Sequence, residues 1–301
     1  MPNVKLKNQL HLHFLVFIAG FTGILGELIS IQAVPLVWIR MIIASIIILV
    51  FVKVANINIK IPPKKIFKLV IAGIIIALHW ITFFGSIDES NVSIALTMFS
   101  TGAFFASFIE PMIYKRKIIW YEILFGLLIV LGVFIITESE INYLKGIILG
   151  VFSGLFASIF AVLNGKFLEQ HSPTAISFYE MVSGAVFITL FLLIGNYNFS
   201  TEVFILTKAD FIYLFILGSV CTAYAFIAAV KVMRHISPFT VVLTYNLEPI
   251  YGIGLAVLLF PEKEKMSGSF YLGAIIIIST VLINGVLKSS RKLKRKQSVQ
   301  K

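Results

Sequence analysis

The stretch LTYNLEPIYGIGLAVLLF occupies residues 243–260 and contains a single acidic residue in an otherwise apolar run. It is long enough to cross a bilayer as a helix. A carboxylate at bilayer depth is costly and usually faces a protein interior or a water-filled cavity. Pro249 follows Glu248 and removes the N–H that would bond the carbonyl of Tyr245. An acid and an opened backbone at one depth indicate a membrane protein that handles a polar molecule in mid-membrane.

The composition of the whole chain agrees with this interpretation. The 301 residues are 59% hydrophobic and only 13% charged, with a mean hydropathy of +0.99. Soluble domains average about 25% charged residues, so the composition predicts a polytopic membrane protein. The net charge of +11 does not predict a nucleic-acid partner, because the basic residues lie in short loops and in the C-terminal tail. The single cysteine, Cys221, excludes an intrachain disulfide.

Ten helices are predicted, each close to the roughly 20 residues that a spanning helix needs. Six apolar runs contain no charged residue: 69–87, 90–109, 146–165, 181–201, 211–230 and 266–287. Four more contain or adjoin one charged residue: 12–31, 35–52, 118–137 and 237–260. The expected fold is therefore an all-α membrane protein with no room for a soluble domain.

The distribution of lysine and arginine predicts the orientation of these helices. With the N-terminus inside, 20 of the 25 basic residues fall in inner segments, four fall in outer loops and Arg40 falls within a span. Cytoplasmic loops are rich in basic residues. Both termini are therefore expected in the cytoplasm.

Weak internal similarity indicates a duplication. At an offset of 147 residues the second half repeats four residues of the first: Ser90, Leu96, Thr97 and Gly126 match Ser237, Leu243, Thr244 and Gly273. At an offset of 140, Arg40 meets Glu180. The predicted units are a five-helix repeat over 1–138, a second over 139–288 and a basic cytoplasmic tail over 289–301. Because five is odd, the two repeats should lie inverted in the membrane, an architecture typical of transporters.

Three segments carry a resemblance to a known family. They are PLVWIRMIIASIII (35–48), FSTGAFFASFIEPMIYKRK (99–117) and ISPFTVVLTYNLEPIYGIGLAVLLFPEKEKMSGSFYLGAIIIISTVLI (236–283). With these the chain resembles the EamA-type branch of the drug/metabolite transporter superfamily along nearly its whole length. The resemblance implies a ten-helix carrier in the bacterial inner (plasma) membrane, with a central cavity and no cofactor. It also implies export of amino acids or related small metabolites.

Glu248 is the first candidate for substrate binding, since its carboxylate can bind an amine or take up a proton. Thr244 and Tyr245 lie on nearby helical faces. The alternative is a kinked helix whose acid pairs with a neighbouring helix.

Further substrate-binding candidates are polar or aromatic residues inside predicted spans: Thr97, Ser100, Thr101, His79, Trp80, Tyr224 and Asn164. The first three form a polar stripe that matches the depth of Glu248 under the repeat. Hydroxyl groups also suit plain helix packing. A histidine here can relay protons or simply bond a backbone carbonyl, and the tryptophan can line a cavity or pack against lipid.

The remaining intramembrane charges have structural or gating interpretations. Arg40 and Glu180 each need a neutralising partner, because unpaired buried charges are destabilising. Glu27 is a candidate partner for Arg40. Glu110 and Pro111, near the inner end of the fourth span, are predicted as a gate, and Pro249 gives the ninth span compliance.

These observations predict an alternating-access carrier that works as an exporter, rather than an enzyme. Its expected partners are a small-molecule substrate and the bilayer, with protons as a candidate coupling ion. A passive channel and a membrane-embedded lipid-modifying enzyme remain as alternatives. The sequence leaves open whether the protein is a monomer or a dimer.

Overall fold

The computed structural model describes residues 2–115, 117, 120–194, 205–232, 235, 244–245 and 247–299. No strand occurs within these ranges. The helices of the first half are α1 (Pro2–Leu28), α2 (Ala33–Val54), α3 (Pro63–Asp88), α4 (Val92–Phe99), α5 (Gly102–Tyr114) and α6 (Trp120–Ser139). Those of the second half are α7 (Leu144–Phe167), α8 (Pro173–Ile194), α9 (Lys208–Gly218), α10 (Ala225–Val232), α11 (Glu248–Leu259) and α12 (Gly268–Val299). A 3₁₀ turn (Ile141–Tyr143) precedes α7, and a π-helical turn (Ser219–Tyr224) joins α9 to α10.

Eight helical segments of the described chain are long and apolar enough to cross a membrane, with α4–α5 and α9–α10 each counted as one. Two shorter apolar segments, Glu248–Leu259 and Gly268–Asn284, correspond to the last two predicted spans. The span predicted over 237–260 begins before α11, and most of that first part lies outside the described residues. The last part of the span predicted over 181–201, residues 195–201, also lies outside them. The helix of the final span continues through the predicted boundary at residue 288.

Three of the predicted spans are not regular helices. The fourth is broken at Ser100 and Thr101, whose hydroxyls donate to the carbonyls of Thr97 and Met98 at 2.6 Å each. The eighth contains the π turn, in which the Thr222 hydroxyl donates to the Leu217 carbonyl at 2.7 Å. In the ninth, a regular helix begins at Glu248, with Pro249 in its first turn. The apolar runs predicted continuous helices for the fourth and eighth spans, because side-chain bonds to the backbone at single residues do not change the apolar pattern.

Polar contacts show which helix ends lie together. Asp210 accepts from the Ser30 backbone at 2.8 Å, and Glu89 pairs with Lys145. Lys263 donates to Glu27 at 2.5 Å. These contacts gather the α1–α2, α3–α4, α6–α7 and α11–α12 connections and the start of α9 at one end of the bundle, named here the connection end.

Glycines allow the helices to approach closely. A β-carbon at Gly73 on α3 would lie against the Glu180 carbonyl oxygen of α8. One at Gly20 on α1 would lie 3.0 Å from the Gly252 nitrogen of α11, and one at Gly102 on α5 would lie 2.8 Å from the Gly154 carbonyl oxygen of α7. Small residues of this kind are how helices pack in membranes, where no hydrophobic force drives them together.

The α3–α8 contact gives a direct test of this packing. We expect Gly73→Ala to destabilise the protein by about 1–3 kcal/mol, because the new methyl group meets rigid backbone. Gly254→Ala on α11 is the matched control, since no atom lies within 4 Å of its β-carbon position. Alanine favours a helix over glycine by up to about 1 kcal/mol, so the control should be neutral or stabilising. Thermal unfolding of both variants in detergent measures the difference, and equal behaviour would contradict the contact.

Candidate functional site

Arg40 lies in the interior of the bundle and has only one short hydrogen bond. Its guanidinium sits 4.0 Å from the centre of the Trp80 ring on α3, and its Nε donates to the Thr222 hydroxyl at 2.6 Å. Nη2 approaches the Cys221 carbonyl at 3.5 Å, while Nη1 has no hydrogen-bond partner among the described residues. The side chain is 2% exposed. A buried cation with a spare donor is an anion-binding group.

Glu248 lies close enough for its charge to act on Arg40, although no ion pair within 4.0 Å joins them. It is 8% exposed and opens α11. Tyr245, which lies about one turn earlier and is partly buried, also feels the Glu248 charge. The interior therefore contains an acidic and a basic side chain held apart, with the Trp80 ring beside the basic one.

The predicted pairing of Arg40 with Glu27 is wrong. Glu27 accepts from Lys263 of the α11–α12 connection, and this hydrogen bond raises the pKa of the Lys263 ammonium. Arg40 instead points toward the π turn and Trp80. Glu27 lies in the last turn of α1, at the connection end of the bundle, whereas Arg40 lies two turns inside α2.

Glu180 and Asn164 form a second buried polar site. Asn164 on α7 donates its amide N–H to Glu180 Oε2 on α8 at 3.2 Å. The predicted charge neutralisation of Glu180 does not appear in the described contacts, and the substrate-binding candidate Asn164 bonds Glu180. Both residues are buried, at 0% and 7% exposure.

The polar stripe Thr97, Ser100 and Thr101 is buried at the α4–α5 break. Ser100 and Thr101 use their hydroxyl hydrogens on their own backbone, while Thr97 Oγ1 has no partner among the described residues. Packing of Thr101 against Gly154 of α7 places the break at a helix–helix contact. The packing alternative therefore accounts for two of the three residues in this conformation.

His79 and Trp80 occupy adjacent positions on α3 but have different surroundings. His79 Nδ1 lies 2.9 Å from the Ser153 hydroxyl and 3.1 Å from its carbonyl, and four aromatic rings surround the imidazole. These contacts match the structural alternative for the histidine. Trp80 faces Arg40, so the site contains the tryptophan as an aromatic wall.

Thr244 lines a cavity of about 330 Å³ toward the N-terminal end of α1, at the end of the bundle opposite the connection end. The cavity walls also contain Leu6, Gln9, Leu10, Leu12 and His13. Tyr224 is 44% exposed and bonds His11 Nε2 through its hydroxyl at 2.7 Å. Tyr224 therefore contacts α1 near this cavity rather than Glu248.

The predicted gate residues lie near helix ends. Pro111 is buried within α5, with the partly exposed Glu110 beside it, one turn before the helix ends at Tyr114. Pro249 is buried in the first turn of α11. Their role as a gate remains a prediction.

The sequence analysis gave Arg40 a structural role rather than a binding role, and it did not single out Thr222, or Gln9 and His13 of the cavity wall. The signal for Arg40 was present, because a single charge in an apolar run was the criterion that selected Glu248. Thr222 gave no such signal, since only the π turn directs its hydroxyl toward Arg40.

Comparison with known proteins identifies the family of the chain. The model of the EamA-like transporter family matches twice, over residues 10–138 and 144–286. The chain therefore belongs to this family and is a multi-pass membrane protein. No curated protein matches it. Chains of solved structures do match, and one crystal structure of a protein covers 94% of this chain and 98% of its own, with 11% identity and a TM-score of 0.65. That likeness concerns the fold alone.

The electrostatic coupling of Arg40 with Glu248 is open to a double-mutant cycle. Arg40→Met should destabilise the protein by about 3–5 kcal/mol, because it leaves the carboxylate buried without its counter-charge. Adding Glu248→Gln should recover about 0.5–3 kcal/mol. Unfolding in mixed micelles measures each variant, with Glu27→Gln as the carboxylate control combined with Arg40→Met. Strict additivity of Arg40→Met and Glu248→Gln would show that the two charges do not interact.

Proposed function

We propose that the protein is a secondary active transporter that exports small polar metabolites, namely amino acids or their derivatives. One observation carries the proposal: the basic side chain of Arg40 and the acidic side chain of Glu248 lie buried in one interior without direct contact. An amino acid bears both a carboxylate and an ammonium group. The spare Nη1 donor of Arg40 suits the carboxylate, and Glu248 suits the ammonium.

The packing supports two inverted five-helix repeats. The α1–α11 contact through Gly20 has its counterpart in the α7–α5 contact through Gly154. In the same way, Gly73 of α3 abuts the Glu180 carbonyl of α8, and a β-carbon at Gly218 of α9 would lie 3.2 Å from the Arg40 carbonyl oxygen of α2. Exchanged contacts of this kind follow from a two-fold axis between the halves, and ten spans with the site at their interface then fit a carrier.

The two ends of the bundle support alternating access. At the connection end, Glu264 accepts from the backbone N–H groups of Val92 and Ser93 at 3.0 and 2.9 Å, which ties the α11–α12 connection to the start of α4. Lys263 adds its bond to Glu27. At the other end lies the cavity beside Thr244. A bonded end and an end with a cavity are what we expect of a carrier that is closed on one side and open on the other.

Transport by purified protein tests the proposal. Proteoliposomes loaded with a labelled amino acid should show saturable counterflow, and Glu248→Gln should abolish most of it because the ammonium loses its charged partner. Glu27→Gln, which removes an acid at the connection end, is the control. Undiminished flux with unchanged pH dependence in Glu248→Gln would remove Glu248 from the mechanism.

The same vesicles separate the alternatives. Currents at single-channel scale without counterflow would favour a passive channel. Chemical conversion of lipid by the purified protein would favour an enzyme.

Membrane orientation gives an independent prediction. In a Cys221→Ser background, a cysteine in place of Ser298 should react with a membrane-impermeant thiol reagent only after the cells are permeabilised. A cysteine in place of Lys145 should react in intact cells. This outcome follows from the placement of most basic residues inside. The reverse pattern would invert the topology and the direction of transport proposed here.

A further inference from the structure

The Glu180–Asn164 site has more hydrogen-bond acceptors than donors. The amide N–H of Asn164 serves Glu180 Oε2. Glu180 Oε1 and Asn164 Oδ1 are both buried, and neither has a hydrogen-bond partner among the described residues. Ser177, one turn before Glu180 on the same face of α8, has an unpartnered buried hydroxyl as well. Buried polar atoms without partners are rare and call for an explanation.

No cation of the described chain neutralises the Glu180 carboxyl. Arg40 of α2 is directed to Thr222 and Trp80, and His79 of α3 is directed to Ser153. The other basic residues of the helices around Glu180 are exposed and form no ion pair with it: Lys53 of α2, Lys64, Lys65 and Lys68 of α3, Lys145 and Lys166 of α7, and Lys231 of α10. If Glu180 were ionised, its buried carboxylate, at 0% exposure, would have one neutral hydrogen-bond donor and no positive charge to compensate it.

One proton removes both difficulties. A protonated carboxyl is neutral, and its O–H is a donor for the unpartnered Asn164 oxygen. With the proton on Oε1, the Glu180 side chain can donate to Asn164 Oδ1 while Oε2 keeps its bond from the Asn164 amide. The Glu180 carboxyl and the Asn164 carboxamide then each donate one hydrogen bond to the other.

We propose that Glu180 and Asn164 form a proton-binding site, separate from the Arg40–Glu248 site, that holds one proton in this conformation and releases it when α7 and α8 move. Asn164 and Glu180 lie on different helices, so relative motion of α7 and α8 changes the hydrogen bond that retains the proton. The coupling role rests on the proposed transport function, whereas the presence of the proton does not.

Infrared spectroscopy of the purified protein detects this proton directly. At neutral pH the wild-type protein should show a protonated-carboxyl C=O band that is lost in Glu180→Gln, an isosteric variant that retains a hydrogen-bond donor. The band should remain in Glu27→Gln, the control at the connection end. If the wild-type and Glu180→Gln spectra agree in this region, the proposal is overturned.

A second variant keeps the test informative where Glu180→Gln does not fold. Asn164→Ser retains the acid but removes the carboxamide, so the band should persist at a changed frequency. An unchanged frequency would exclude Asn164 as the partner. If sodium ions instead of alkaline pH remove the band from the wild-type protein, the site binds a metal cation rather than a proton, and the proposal fails.

Thermal stability against pH adds a measurement that needs no substrate. The folded protein keeps this proton at pH values where the unfolded chain, with a glutamate pKa of about 4.3, has already lost it. The wild-type protein should therefore lose stability as the pH rises from that value to the pH at which the folded protein releases the proton. Glu180→Gln should lose less over the same interval. Equal loss in both proteins would contradict the proposal.

Transport assays then separate the two proposals. If flux is present but its pH dependence is the same in wild type and Glu180→Gln, the site is not the coupling site. If no flux is found while the carboxyl band behaves as expected, the transport function fails and the proton site stands.

Discussion

A buried ionised side chain must find partners inside the protein, and the arrangement of the central helices follows from this requirement. Arg40 cannot reach water, and its partners are the Trp80 ring, the Thr222 hydroxyl and the charge of Glu248. A regular helix pairs its backbone N–H and C=O groups with one another, so these groups are not free to bond a buried side chain. The π turn in the eighth span and the start of α11 at Glu248 are the irregularities that place polar groups at this depth.

Close helix packing makes such an interior possible. Where glycines replace side chains, α3 meets α8, α1 meets α11 and α5 meets α7 at backbone distance. These contacts leave the polar side chains enclosed by protein and facing neither lipid nor bulk water.

Much of the fold could be predicted because membrane insertion constrains composition. Runs of about 20 apolar residues have few alternatives to a spanning helix, and eight such segments are present in the described chain. The Glu248-Pro249 pair was likewise visible as a rare acid in an apolar run. Helix breaks were not predictable to the same degree, since Ser100 and Thr101 act through hydroxyl bonds to backbone that leave no periodic trace.

The sequence by itself determined the class of protein, the number of apolar segments and which charges lie in them, because hydrophobicity and charge are properties of single residues. The tertiary structure decided the partners of those charges. It placed Arg40 with Trp80 and near Glu248, Glu27 with Lys263, and Glu180 with Asn164. Which faces of two helices meet depends on glycine contacts and helix breaks far apart in the chain, so the composition of one segment cannot specify its neighbour.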